Sequence, residues 1–261
     1  MNSGNSSQIN EIPRSRLATF DVCAISNSRN YISAMLEFDV TETRRKIRQM
    51  RKSGERVSFN AYLIKVIGTA VERHQEVAAF RYSKRRLMVF NDVNISTVVE
   101  KSVRGTKVPI PIVIEQVPLK TAAQITAEIE EARNRIISGK DVVIGRETKW
   151  YENIYFSMPG FIRRTIMKTM LRFPESTFRR MGNVMVSYPG MVGSVNGWFI
   201  HKSIHPLSFG IGSVIKKPVV VDDQVQIREI LNMTVLMDHD VIDGAPMARL
   251  IKEINNILLN N

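Results

Sequence analysis

A chain of 261 residues, 44% of them hydrophobic, is long enough to bury a substantial core and suits one large domain. Its 37 Lys and Arg against 25 Asp and Glu give a net charge of +12, which directs attention to nucleic acid, membrane surfaces and phosphate-rich substrates. The single cysteine, Cys23, excludes an internal disulfide and a cysteine-rich zinc site; no apolar run reaches the ~18–20 residues of a membrane-spanning helix, and Met1 to Arg14 lacks the apolar centre of a secretory signal.

The polar start, Asn2 to Gln8, reads as a disordered tail over residues 1–15, and 16–261 as a single domain in a cytoplasmic protein. Tyr31 to Val40 reads as a strand, with Thr41 capping a helix rich in arginine and lysine. Ser58 then starts the clearest helix of the chain, because Phe59, Tyr62, Leu63, Val66, Ile67, Ala70 and Val71 recur at three- and four-residue spacing and form one buried stripe. Strands are predicted at Leu87 to Phe90, Val93 to Val99 and Val108 to Val117, with Arg104-Gly105 turning between the last two. Pro109 and Pro111 argue against a regular central strand there. Thr121 and Gln124 have the spacing of a capping box, ahead of a helix carrying Ile125, Ile129, Ala132, Ile136 and Ile137 that Gly139 can end. Strands with intervening helices indicate an α/β layered domain.

Between about 142 and 181 lies a basic, aromatic stretch. Ser157 and Pro159 mark a helix start, and Phe161, Ile162, Ile166, Met170 and Leu171 form an apolar face opposite Arg163, Arg164 and Lys168. Such a helix can lie on an anionic membrane or dock on a partner, although a surface helix packed on its own domain is the commoner outcome and is the reading preferred here. The basic groups Arg44 to Lys52, Lys84-Arg85-Arg86 and Arg163 to Arg180 come with no zinc finger, aromatic RNA-binding signature or helix-turn-helix. Solvated helix faces account for most of this charge, and nucleic acid is not expected as a partner.

The chemistry concentrates near the C-terminus. The alternating run Met233 to Met237 delivers Asp238-His239-Asp240-Val241-Ile242-Asp243-Gly244 onto a tight turn before a helix through Ala245, Met247, Leu250, Ile251 and Ile254. A histidine so presented can act as a general base, since its ordinary pKa lies near 6.5. The other three lack that context. His74 ends the amphipathic helix, where a positive charge suits the helix dipole. His201 and His205 precede and flank Pro206 without the carboxylate or thiol partners of a metal site.

His239-x-x-x-Asp243-Gly244 resembles the signature of the chloramphenicol acetyltransferase-like acyltransferases, and Leu231 to Gly244 resembles the end of the catalytic domain of 2-oxo acid dehydrogenase acyltransferases. Phe90 to Val99, followed by Arg104-Gly-Thr-Lys-Val-Pro-Ile-Pro111, looks like that family's strand pair, and Leu119 to Ile129 like its next helix. The resemblance runs from about Tyr31 to the C-terminus, interrupted by the 142–181 stretch. It implies a two-layer α/β sandwich, a mixed sheet with packed helices, and a homotrimer with active sites between subunits. It implies transfer of an acyl group between coenzyme A and a lipoamide-like thiol or a hydroxyl, without a metal and without a lipoyl group on this chain, which a separate lipoyl-bearing protein would present. The coenzyme A-binding residues are not identified.

In the family a Ser or Thr hydroxyl stabilises the oxyanion, and Val184 to Gly193 occupies its place, putting that role on Ser187 through the alignment of Gly190 and Gly193. Asp243 can be read as the third member of a Ser-His-Asp triad, because a carboxylate near an imidazole can orient it, while the resemblance gives it a loop-organising role through an arginine, for which Arg14 or Arg16 is the candidate; Gly244 supplies the close chain approach needed after the motif. Asp240 departs from the frequent Asp-His-Arg form, which bears on the partner or substrate rather than on the base. The competing reading is a non-catalytic trimeric scaffold, or a membrane- or partner-docking member of the same fold.

Overall fold

The computed structural model describes residues 7, 9, 12, 15–103, 106–134, 150–189 and 195–260. Its largest feature is a hairpin of two 15-residue strands, β7 (Leu207–Val221) and β8 (Gln224–Asp238). Asp222 and Asp223 turn it with φ of 50° and 60°, the paired left-handed backbone that matches the twist of antiparallel strands. β1 (Tyr31–Asp39) lies antiparallel to β8, with Tyr31 opposite Asp238. On the other side of β7, the short β6 (Val184–Ser187) runs parallel to it and to β4 (Ile95–Val103), and β5 (Thr106–Ile114) closes the far edge antiparallel to β4. Pro109 and Pro111 sit in that edge strand, where missing ladder donors are tolerated.

Register divides this six-stranded sheet into two chemically different faces. Leu207, Phe209 and Ile211 share one face with Met233, Val235 and Met237 and with Val184 and Val186, and all join one buried cluster with the helices. α3 (Phe59–Glu72) and α8 (Gly244–Asn260) supply the centre of that helical layer, the first through its predicted stripe and the second through Met247, Leu250 and Ile254. Losing the fully buried Phe209 ring to alanine would cost about 3–5 kcal/mol. The opposite face is mixed, with Ser187, Ser208, Gly210, Asn232 and Thr234 beside Met185 and Leu236. The segment 195–205 crosses it, held by Trp198 Nε1 donating to the Leu36 carbonyl at 3.0 Å and by Asn232 donating to Asn196 at 2.8 Å. A Cβ on Gly210 would lie 2.3 Å from the Phe199 carbonyl oxygen and 2.7 Å from His201 Nδ1, so only glycine lets this segment close down.

Local end signals act as expected at two helices. Ser58 accepts from the Ala61 amide, and Thr121 and Gln124 exchange bonds of 2.8 and 3.2 Å at the start of α4 (Ala122–Asn134). Thr41 differs from expectation: it is the first residue of α2 (Thr41–Lys52), and its hydroxyl donates to Asp39 at 2.6 Å and accepts from the Glu229 amide at 2.8 Å, tying the helix to β8 instead of capping it. The strand expected at Leu87 to Phe90 is part of a small separate hairpin, β2 (Phe80–Ser83) with β3 (Arg86–Met88). Arg104, Gly105 and Gly139 lie outside the described residues, as does most of 1–14; Ser15 already begins a helix, α1 (Ser15–Ser26).

The basic stretch holds three helices where one was expected. Ser157 ends α5 (Trp150–Ser157), α6 (Gly160–Leu171) begins after Pro159, and α7 (Pro174–Met181) follows. The faces of α6 agree with the sequence reading at Ile162, Met170, Leu171 and Lys168 but depart from it at three positions. Phe161 is 65% and Ile166 43% exposed, while Arg163 is buried against the fully buried Asp21 of α1 at 2.7 Å and also donates to the Met158 carbonyl. One of the three cations read as the polar face of this helix is therefore used inside the fold. Phe178 of α7 stacks on Phe90 with centroids 4.1 Å apart, anchoring the other end. Among the described residues no helix is long and apolar enough to cross a membrane.

Candidate active site

The turn that carries His239 is fixed by its backbone and by one buried carboxylate. At the end of β8 the Asp238 amide donates to the Pro206 carbonyl at 2.9 Å, the His239 amide to the Asn30 carbonyl at 2.7 Å, and the Val241 amide to the Asp238 carbonyl at 3.0 Å. The Asp238 carboxylate is buried and takes Arg29 at 2.7 Å, a charge-assisted bond of the strong kind. It also accepts from the Asp240 amide at 3.1 Å. Arg29 and Asn30 reach the turn because they immediately precede Tyr31, the register partner of Asp238. Burial, only partly offset by the Arg29 charge, pushes the Tyr31 hydroxyl well above its ordinary range and keeps it neutral, its one O–H shared between the carbonyls of Ser203 and His205.

Above this pinned base His239 is half-exposed, and its Nδ1 lies 3.8 Å from Asp243. That distance is an electrostatic contact with an imidazolium and too long for a hydrogen bond. Asp243 is 89% exposed in this protomer, so within one chain it lacks the burial of a triad carboxylate. Arg16 is exposed and makes no ion pair with Asp243, and Arg14 lies outside the described residues. The arginine and aspartate that organise the turn are Arg29 and Asp238. A Cβ added to Gly244 would meet nothing within 4 Å in this protomer, so the close approach expected there is not formed within one chain.

Ser187 closes β6, half-buried on the mixed face, level with Gly210 of β7 and through it with Thr234 of β8. Gly190 and Gly193 lie outside the described residues. His239 stands five positions further along β8 than Thr234, so at ~3.3 Å per residue and ~4.8 Å between strands the two side chains are roughly 15–20 Å apart in one protomer. The fold does not bring Ser187 to His239 within a single chain.

Two of the three remaining histidines are buried. His205 is fully enclosed, its Nε2–H donating to the Met181 carbonyl at 3.0 Å, and burial lowers its pKa to about 4. His201 is 7% exposed over Gly210, stacked on Phe199, and burial likewise lowers it to about 4. His74 immediately precedes a short 3₁₀ turn after α3, with no side-chain capping bond. No group of three metal-ligating side chains occurs among the described residues.

Comparison with known proteins gives this geometry a family. The model of the 2-oxoacid dehydrogenases acyltransferase catalytic domain matches residues 11–142 and 179–261. The chain belongs to that family. The matched regions include the whole sheet, the His239 turn and α8, and the gap between them coincides with α5, α6 and most of α7. The dihydrolipoyllysine-residue acetyltransferase component of the pyruvate dehydrogenase complex from Mycoplasma capricolum is 22% identical over 256 residues, 95% of this chain and 50% of that protein. This chain spans about half the length of the curated relatives it matches first.

Solved structures show the same acyltransferase fold. A probable dihydrolipoamide acetyltransferase from Listeria monocytogenes superposes with a TM-score of 0.70 at 18% identity, covering 98% of this chain and 95% of that one. The Azotobacter vinelandii dihydrolipoamide acetyltransferase, studied for the role of a serine, a histidine and an asparagine in its catalytic mechanism, gives 0.67 at 18% over 99% and 94%. Chloramphenicol acetyltransferase gives 0.50 at 11% over 97% and 98%. The mixed sheet with helices packed on one face is thus the chloramphenicol acetyltransferase-like fold that the sequence resemblance implied.

Proposed function

We propose that this chain transfers an acyl group between coenzyme A and a thiol such as dihydrolipoamide, or a hydroxyl, with His239 as general base. Family membership supports the reaction class. The observation that carries the residue assignment is the turn itself, where Arg29 and the buried Asp238 hold the backbone so that His239 projects half-exposed with Asp243 at 3.8 Å. In the Azotobacter enzyme the serine and histidine named above are separated along the chain by the same interval as Ser187 and His239, and the histidine and asparagine by that of His239 and Asp243. This agreement supports Ser187 as the oxyanion donor.

In this reading neutral His239 takes the proton of the attacking thiol or hydroxyl. The sulfur or oxygen adds to the thioester carbonyl, and the oxyanion receives the Ser187 O–H as a hydrogen bond. The tetrahedral intermediate then expels the leaving thiolate, which recovers the proton from the imidazolium near Asp243. Because the two side chains are roughly 15–20 Å apart in one protomer, the site is completed by His239 of one copy meeting Ser187 of another, in a homotrimer. A lipoyl group, where it is the acceptor, is presented from outside this domain.

The test is direct. Purified protein given a panel of acyl-coenzyme A donors and dihydrolipoamide, with donor and free coenzyme A separated chromatographically, should turn over at least one donor. His239→Ala should then lose ~10²- to 10⁴-fold in rate while its chain stays folded. Unaltered turnover in the alanine variant removes His239 from the chemistry, and absence of turnover across the panel removes the reaction.

A further inference from the structure

The cations of the β2–β3 hairpin have no part in the chemistry assigned to His239. Arg81 stands on β2 and Arg86 on β3, and Lys84 and Arg85 form the tip between them, so two short strands gather four exposed positive charges. Together with Asp240 they line an open cavity of about 310 Å³. Asp240 is its one carboxylate among the described residues, already held by Arg81 at 3.3 Å and by Asn30 at 3.1 Å. Lys84, Arg85 and Arg86 make no ion pair among the described residues. Like charges so gathered repel one another, and an anion drawn into the cavity relieves that repulsion.

Position narrows the identity of the anion. The Arg81–Asp240 ion pair fastens the hairpin to the catalytic turn, and Asp240 directly follows His239, with neighbouring Cα atoms ~3.8 Å apart. The cavity therefore opens beside the turn that carries His239. The phosphates of coenzyme A are separated from its thiol by the whole pantetheine arm, so a coenzyme A reacting at His239 carries them well past Arg81. A carboxylate at the far end of a short acyl chain has the right reach and charge, and guanidinium groups suit a carboxylate by their planar, paired donors.

We infer that this cavity binds the distal carboxylate of a dicarboxylic acyl group, so that half-thioesters of short dicarboxylic acids are favoured donors. The inference rests on the acyl-transfer reading of His239. Lys84 and Arg85 supply free cations at the tip, while Asp240 holds Arg81 in place beside them.

The decisive measurement is the ratio of kcat/KM for succinyl-coenzyme A to that for acetyl-coenzyme A, in the unaltered protein and in Lys84→Glu/Arg85→Glu. Charge reversal should lower this ratio about tenfold, and added salt should lower it in the unaltered protein but hardly in the variant. Succinate alone should also raise the melting temperature of the unaltered protein more than that of the variant. An unchanged ratio, whether both donors lose equally or neither loses, overturns the inference and leaves acyl transfer by His239 intact; equal losses would trace the cations to coenzyme A itself. Failure of every donor in the unaltered protein would instead remove the underlying reaction, and the succinate melting shift still reports on the cavity in that case.

Discussion

Neutral imidazoles sealed inside a protein make its stability depend on pH, and His201 and His205 are two of them. In the unfolded chain each titrates near 6.5, and in the folded chain burial lowers each to about 4, so between these values the unfolded state binds the extra proton. Stability is therefore full above pH 6.5 and falls as the pH drops towards about 4. From pH 7 to pH 5 we expect a loss of about 2 kcal/mol per histidine, read from urea midpoints. His205→Gln can keep a donor towards the Met181 carbonyl and should be less stable at pH 7, but its stability should fall less over that interval. An equal fall in variant and unaltered protein would show that the His205 ring is not held neutral. Half-exposed His239 has the opposite design: Arg29, Asp238 and Asn30 hold its backbone rather than its ring, so the imidazole proposed as the base keeps its access to solvent.

The helices of the 142–181 stretch are held by contacts that local sequence patterns do not encode. Arg163 of α6 is buried with its charge opposite the fully buried Asp21 of α1, and removing one partner of such a pair typically costs about 3–5 kcal/mol, whereas replacing both by apolar groups is often neutral. Arg163→Ala should therefore destabilise by that amount in urea unfolding, Asp21→Leu/Arg163→Met should recover most of it, and exposed Lys168→Glu should stay within about 0.5 kcal/mol. A small effect of Arg163→Ala would mean that α6 is not anchored through α1. The same distinction explains what could be read in advance. The Ser58 cap, the Thr121–Gln124 box, the α3 stripe and the strand before His239 all arise from neighbours within a few residues, and all are present in the fold. Of the β7–β8 hairpin the sequence reading covers only Met233 to Met237; the outer halves of both strands alternate in burial and lay within reach of the same periodicity argument. Arg29 was invisible because its pairing with Asp238 depends on the register of β1 against β8, a property of the sheet and not of any local motif. Arg163 looked like a solvated charge because periodicity identifies a face without identifying what meets it.

At the scale of the whole molecule, the separation of Ser187 from His239 becomes a statement about assembly. If each site takes its histidine from one subunit and its serine from the next, neither single variant can build a complete site. His239→Ala should lose ~10²- to 10⁴-fold in rate, and Ser187→Ala roughly 10²-fold in kcat with little change in KM, as befits an oxyanion donor that acts on the transition state. Mixed and reassembled trimers behave differently: wherever a Ser187→Ala subunit gives its intact His239 to a His239→Ala neighbour with an intact Ser187, one normal site reappears. Random mixing in equal amounts creates that neighbour relation at about one interface in four. A 1:1 mixture unfolded and refolded together should thus recover about a quarter of the unaltered activity, far above the sum of the two variants refolded apart. Recovery should vanish when the variants are mixed without dissociation. A co-refolded mixture no more active than its separate components would show that His239 and Ser187 do not meet across subunits, and since the sheet register also keeps them apart within one chain, Ser187 would then leave the mechanism.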